Sequence, residues 1–311
     1  MRLIGCKLLF LVFIGGLFSL GLATVDLGKT TNEPTEVLSN QHLTNHFHIY
    51  TDLDYKSLKY HARFFEGFVD YFEQNYFKIN QKRPLIIYLL KNERSYKPYA
   101  ETVRASYTKY GFYLGLKKNI IVVNRASGLG TATHELVHYF IDVGFPEHPP
   151  EWIEEGIATF FEKFIAHFDD SGKHNISFGY FSNWRFPITK KKINELSLKQ
   201  IIYSEDISQC TARSFMLFLH KKKLFADCVK KWRITKNDPT GVKVLEKTYG
   251  RSIVQIEQDW KSWIRFQPID ENVKLVPWAF VMPPKKWDRW LSANKDRLYW
   301  NEKEKIYKVR K

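Results

Sequence analysis

Cysteine is scarce in this chain: of three in 311 residues, Cys6 precedes the apolar N-terminal run and only Cys210 and Cys228 lie beyond it. No C-x-x-C pair or neighbouring histidine accompanies either one, so neither resembles a metal-ligand set or a nucleophile. An oxidising compartment would permit one bridge between them, but a chain of this length buries a core that needs no such staple. Acidic residues are also in deficit, 33 against 48 Lys and Arg, giving a net charge of +15, or +13 without Arg2 and Lys7. That balance favours anionic surfaces such as lipid headgroups, acidic glycans or acidic peptides, and says nothing about fold. The apolar stretch at residues 8–18 falls short of the roughly 20 residues that span a bilayer. With Arg2 and Lys7 before it and Gly21-Leu22-Ala23 after it, it reads as a secretory signal cleaved near Ala23. Export to the periplasm, the envelope or the medium is expected, without a lipid anchor and with no nucleic-acid partner. No internal repeat is present.

Residues 24–44 are polar and lack a hydrophobic period, which predicts a flexible linker with structure beginning near Asn45. Residues 46–51 alternate like a strand. Over 54–77, Leu58, Ala62, Phe65, Phe68, Val69, Phe72 and Tyr76 recur at helical spacing. A continuous apolar run at 84–90 predicts a buried strand, and 95–104 a second helix. Strands at 111–116 and 119–124, joined by a turn at Lys117-Lys118, lead through Gly128-Leu129-Gly130 into a helix over 131–143. The loop 144–150 stops it, and Pro149-Pro150 suit the first turn of a further helix over 151–167. Beyond, helices are expected at 211–222, 226–232, 242–249 with Gly250 as C-terminal cap, and 253–266. The last buries a stripe of Ile253, Ile256, Trp260, Trp263 and Ile264.

The first of these loop-flanked helices contains His134-Glu135-Leu136-Val137-His138, an H-E-x-x-H motif. On a helix this spacing sets two imidazoles one turn apart on one face with a carboxylate beside them. A catalytic zinc takes three protein ligands and leaves one position open. His134 and His138 supply two, and the helix arriving after the proline-stopped loop can deliver a glutamate as the third. Glu151, Glu154 and Glu155 compete on spacing alone; Gly156, which removes a side chain where helices must approach closely, favours Glu155. Glu135 projects beside the metal, where a carboxylate can take the proton of an attacking water. Amide hydrolysis is the reaction class this predicts. Asp142, one turn after His138, is a candidate to orient a ligand imidazole, while His148, before Pro149-Pro150, reads as a loop residue.

His134, Glu135 and His138 followed by Trp152, Glu155 and Gly156 resemble the gluzincin metallopeptidases, especially the peptidase-MA-like families with H-E-x-x-H and then W-x-x-E-G. The likeness extends more loosely over residues 45–266. It implies a Zn2+-dependent peptidase with His134, His138 and Glu155 as ligands and Glu135 as base. It also implies that residues 119–124 form an edge strand along which a peptide substrate pairs. Gluzincins place a tyrosine or histidine downstream to steady the oxyanion, and Tyr180 and Tyr203 are the candidates here. A thermolysin-like pattern would set an aspartate four residues after the third ligand, where this chain has Thr159.

The expected architecture is therefore α+β and gluzincin-like, a small N-terminal mixed sheet packed on the active-site helix followed by a mainly helical part. Its divisions are a signal at 1–23, a linker at 24–44, a catalytic sheet and helix domain at 45–168, a helical subdomain at 169–270 and a basic aromatic extension at 271–311. That extension is rich in tryptophan, lysine and arginine and suits either packing or an anionic envelope surface. The competing expectation is a non-catalytic binding or scaffold protein that keeps the metal fold.

Overall fold

The computed structural model describes residues 38–103, 108–168, 174–178, 185–204, 208–267, 295–301 and 306–309. The expected signal at 1–23 and Tyr180 lie outside them. Among the described residues, no helix is long and apolar enough to cross a membrane. Five strands form one mixed sheet in the order β1 (Asn40–Leu43), β2 (Phe47–Thr51), β3 (Leu85–Leu90), β5 (Ile120–Asn124), β4 (Gly111–Tyr113). β2, β3 and β5 run parallel, and β1 and β4 close the two edges antiparallel. Strand β1 lies inside the stretch expected to be linker. Its residues alternate between half-buried and exposed, so it has no apolar period to read, and Asn40 Nδ2 ties it down by donating to Leu53 O at 2.8 Å.

Helix α1 (Tyr55–Asn75) starts where Asp54 accepts from the Ser57 amide, and buries Leu58, Ala62, Phe65, Phe68, Val69 and Phe72. One sheet face, built from Phe47, Ile49, Leu85, Ile87, Leu89, Ile121 and Val123, shares a core with that helix and with α4 (Leu129–Gly144). The other face presents Leu90, Phe112 and Val122 to Tyr96, Tyr99 and Ala100 of α2 (Glu93–Val103). Burial on both faces explains why 85–90 and 120–123 are continuous apolar runs. It also corrects an expectation: β5 lies between β3 and β4, so residues 119–124 are interior and the edge on that side of the sheet belongs to β4. The link between β4 and β5 is a one-turn helix, α3 (Gly115–Lys118), closed by Asn119 in the left-handed region at φ 58°. Asn119 Nδ2 donates to Pro84 O at 2.9 Å.

Helix α5 (Glu151–Phe161) ends six residues before the expected point. Phe160, Phe161 and Phe164 keep helical spacing, but the Phe164 amide turns back to Phe161 O at 2.9 Å and its ring packs 4.6 Å from that of Phe68. A hairpin of β6 (Ile165–Phe168) and β7 (His174–Ser177) follows. Then come α6 (Arg185–Lys192), α7 (Leu198–Tyr203), α8 (Gln209–Lys221), α9 (Phe225–Ile234), α10 (Val242–Tyr249) and α11 (Ile253–Phe266). Gly250 caps α10 at φ 80°, and Ser252 with Gln255 forms a capping box on α11. One buried cluster runs from Phe47 to Ile264, so side chains on both sides of residue 168 share a core. Cys210 and Cys228 are both free thiols, on α8 and α9. In the C-terminal extension, β8 (Leu298–Asn301) pairs with β9 (Ile306–Val309).

Candidate metal centre

The helix bearing the motif is positioned by what precedes it. From β5 the chain passes through a 3-10 turn (Arg125–Ser127) capped by the Asn124 side chain, then Gly128 at φ 103° turns it into α4. A side chain at that backbone angle would be strained, which is why glycine stands there. Ala132, Leu136, Val137, Phe140 and Ile141 then face the core, leaving His134, Glu135 and His138 on the side turned to α5. Gly130 lets the two helices meet: a Cβ there would fall 2.3 Å from Glu162 O. Thr133 Oγ1 fastens the contact by donating to Phe161 O at 2.9 Å.

Helix α5 is anchored at its other end by Trp152, fully buried, whose Nε1 donates to Thr240 O at 2.9 Å and whose ring meets Trp232 edge-on at 5.4 Å. The close approach that Gly156 permits is to α8 rather than to α4, since a Cβ there would meet Met216 Cε at 2.7 Å. That approach brings Gln209, at the start of α8, within 2.8 Å of Glu155 Oε2.

The outcome is a compact donor group. His134 Nε2 and His138 Nε2 are 3.1 Å apart; Glu155 Oε2 lies 3.7 Å from the first and Glu155 Oε1 3.6 Å from the second. Ligand bonds of about 2.0–2.1 Å in a tetrahedron give edges of about 3.3–3.4 Å; with one oxygen of Glu155 taken, the three donor atoms lie within 4.8 Å of one another, a group that could hold one small divalent cation. Glu154, Glu155 and Glu135 lie on the two imidazoles, while Glu162 is balanced by Arg185, with Arg213 and Lys163 also acting on it. Burial pulls His138 down, but Glu154, Glu135 and Glu155 outweigh it and push its pKa up to about 9. Burial pushes Glu135 up, with Glu155 adding to it against the pull of both imidazoles.

Of the residues singled out in sequence, His134, His138 and Glu155 come together, with Glu135 beside them. Asp142 does not reach His138; its Oδ1 stands 3.5 Å from His148 Nδ1. The partner of His138 Nδ1 is Glu154, at 2.6 Å, and Glu154 is in turn held by His148 Nε2 at 2.7 Å. Asp142 is therefore one step removed, because a side chain at i+4 on the motif helix points along α4 while Glu154 enters from α5. Glu151 is exposed in the first turn of α5, and Tyr203, 67% exposed, closes α7 on the solvent side.

Sequence reading missed Glu162, Arg185 and Gln209. Glu162 stands 3.4 Å from the buried Nδ1 of His134, which has no aligned hydrogen-bond partner, and Arg185 grips Glu162 through Nε at 3.1 Å and Nη2 at 2.8 Å. Burial opposes ionisation of Glu162, but His134 and Arg185 overcome it and hold its pKa down to about 2. A signal for Glu162 existed: it follows Glu155 by seven residues, two turns along the same helical face. Arg185 and Gln209 arrive from helices far along the chain and had none.

The backbone amide of Tyr113 lies on the side of Glu135 and works against the upward push of burial on that carboxyl. Leu114 N bonds Ile120 O and Asn124 N bonds Tyr110 O, so alternate residues of β4 face β5 and the Tyr113 amide points away from it. The outer edge of β4 thus runs past Glu135. No protein-family model matches the chain, and no curated protein matches it.

Proposed function

We propose that this protein is a zinc-dependent peptidase in which His134, His138 and Glu155 hold the metal and Glu135 is the general base. The observation behind this reading is the convergence of two imidazole nitrogens and one carboxylate, with one donor atom from each residue within 4.8 Å of the others, next to a further carboxylate on the side of the β4 edge. Two nitrogens, one oxygen and an open position are the donor set of catalytic zinc. Zinc, when bound, lowers the pKa of water toward about 7 and polarises a carbonyl. Glu135 accepts the proton of the attacking water and passes it to the leaving nitrogen, and its upward-shifted pKa suits a group that keeps a proton between two steps. A peptide added to the outer edge of β4 lays its backbone beside that carboxylate. The H-E-x-x-H and W-x-x-E-G motifs, which resemble those of gluzincins, point the same way. Export behind a signal, and contact of the basic extension at 271–311 with an anionic surface, belong to the same proposal.

Cleavage of a peptide library by the wild type and by Glu135→Gln tests the reading. The variant should retain zinc and lose nearly all cleavage. Cleavage that persists in the variant contradicts the base assignment. A wild type that holds zinc and cleaves nothing in the library supports a binding or scaffold protein instead.

A further inference from the structure

Each of the three proposed ligands has a holder of its own. His138 Nδ1 meets Glu154 at 2.6 Å, and His148 steadies Glu154 from the other side at 2.7 Å. Glu155 Oε2 accepts from Gln209 Nε2 at 2.8 Å. His134 Nδ1 is buried without an aligned partner and looks onto Glu162 Oε1 at 3.4 Å, a carboxylate fixed by two bonds from Arg185. We infer that Glu154, Glu162 and Gln209 are positioning residues that orient His138, His134 and Glu155 respectively, leaving both Nε2 atoms and one Glu155 oxygen free for a metal ion. The inference rests on the metal-centre reading above.

The chemistry follows from imidazole having two nitrogens. A carboxylate accepting at Nδ1 keeps the proton there, so Nε2 is the unprotonated donor and the ring plane is fixed. Glu162 takes this part from the C-terminal end of α5, one turn beyond Thr159. Thr159 turns its hydroxyl back along α5, donating to the Glu155 carbonyl at 2.5 Å, rather than toward His134. Gln209 reaches Glu155 only because Gly156 lets α8 close on α5. The glycine after the third ligand thus acts on the metal centre through a third helix.

The test is zinc affinity by chelator competition, with Co2+ absorption as the spectroscopic readout, in full-length protein. Glu154→Leu and Glu162→Leu should each weaken zinc binding about 10- to 100-fold, and Gln209→Met by a smaller factor. Glu154→Gln, whose amide oxygen still accepts from Nδ1, should recover most of the loss and restore the wild-type cobalt spectrum. A merely structural role would lower the melting temperature in Glu154→Leu and Glu154→Gln alike without that ordering of affinities. If Glu162→Leu fails to fold, the Glu154 pair and Gln209→Met decide the matter. A wild type that binds neither metal overturns the metal-centre reading itself. A wild type that binds, with Glu154→Leu and Gln209→Met binding equally tightly, overturns the positioning roles alone.

Discussion

His138 is reached from solvent through Glu154 and the half-exposed His148, whereas His134 faces Glu162 and Arg185 at the buried end of α5. The first chain is closed, with hydrogen bonds of 2.6 and 2.7 Å; the second has a 3.4 Å gap at the imidazole but a rigid, doubly bonded carboxylate behind it. The difference teaches that two ligands on one helix turn need not be held alike. On the His138 side the ring is bonded to a carboxylate whose far partner, His148, stands in solvent. On the His134 side the carboxylate is held by Arg185 and the buried ring stands 3.4 Å from it.

This contrast can be broken by mutation. Arg185→Ala strips a buried carboxylate of its partner and should cost about 3–5 kcal/mol in chemical denaturation; a loss below about 1 kcal/mol would mean that Glu162 is not held as described. Gly130→Ala drives a methyl group into the Glu162 carbonyl and should cost about 1–3 kcal/mol. Gly156→Ala meets the flexible end of Met216 and should cost less, about 1 kcal/mol. Tyr113→Pro removes an amide that faces Glu135 rather than β5, so zinc should remain while kcat/KM for peptides falls about tenfold, the worth of one hydrogen bond of about 1–1.5 kcal/mol. Loss of zinc in that variant would argue that β4 supports the metal site rather than the substrate. His148→Ala, at the exposed end of its chain, should change stability by no more than about 0.5–1 kcal/mol, the smallest effect of the set.

Much of the fold was legible because helices and buried strands write their periods into the chain. α1, α4, α10 and α11 lie where apolar spacing and caps put them. Misread elements share a cause: local pattern overruled by tertiary contact. β1 forms without apolar alternation because backbone pairing along an edge suffices, and α5 stops early although its phenylalanines continue in step. The apolar run Ile120-Ile121-Val122-Val123 held the information that β5 is central, since an edge strand does not need two buried faces. At the centre, the motif spacing alone identified His134, Glu135 and His138, and left Glu151, Glu154 and Glu155 open. What separates the glutamates is rotation about α5: Glu155 faces the imidazole Nε2 atoms, and Glu154 the far nitrogen of His138. A run of two glutamates does not encode that division of labour.

The most direct measurement is the zinc content of the purified full-length protein, by elemental analysis, beside that of the His134→Ala and His138→Ala variants. One zinc per chain in the wild type, lost in both variants while circular dichroism shows the fold retained, is the expected result. A metal-free wild type of unchanged stability after chelation, or a zinc content indifferent to both histidines, would contradict it.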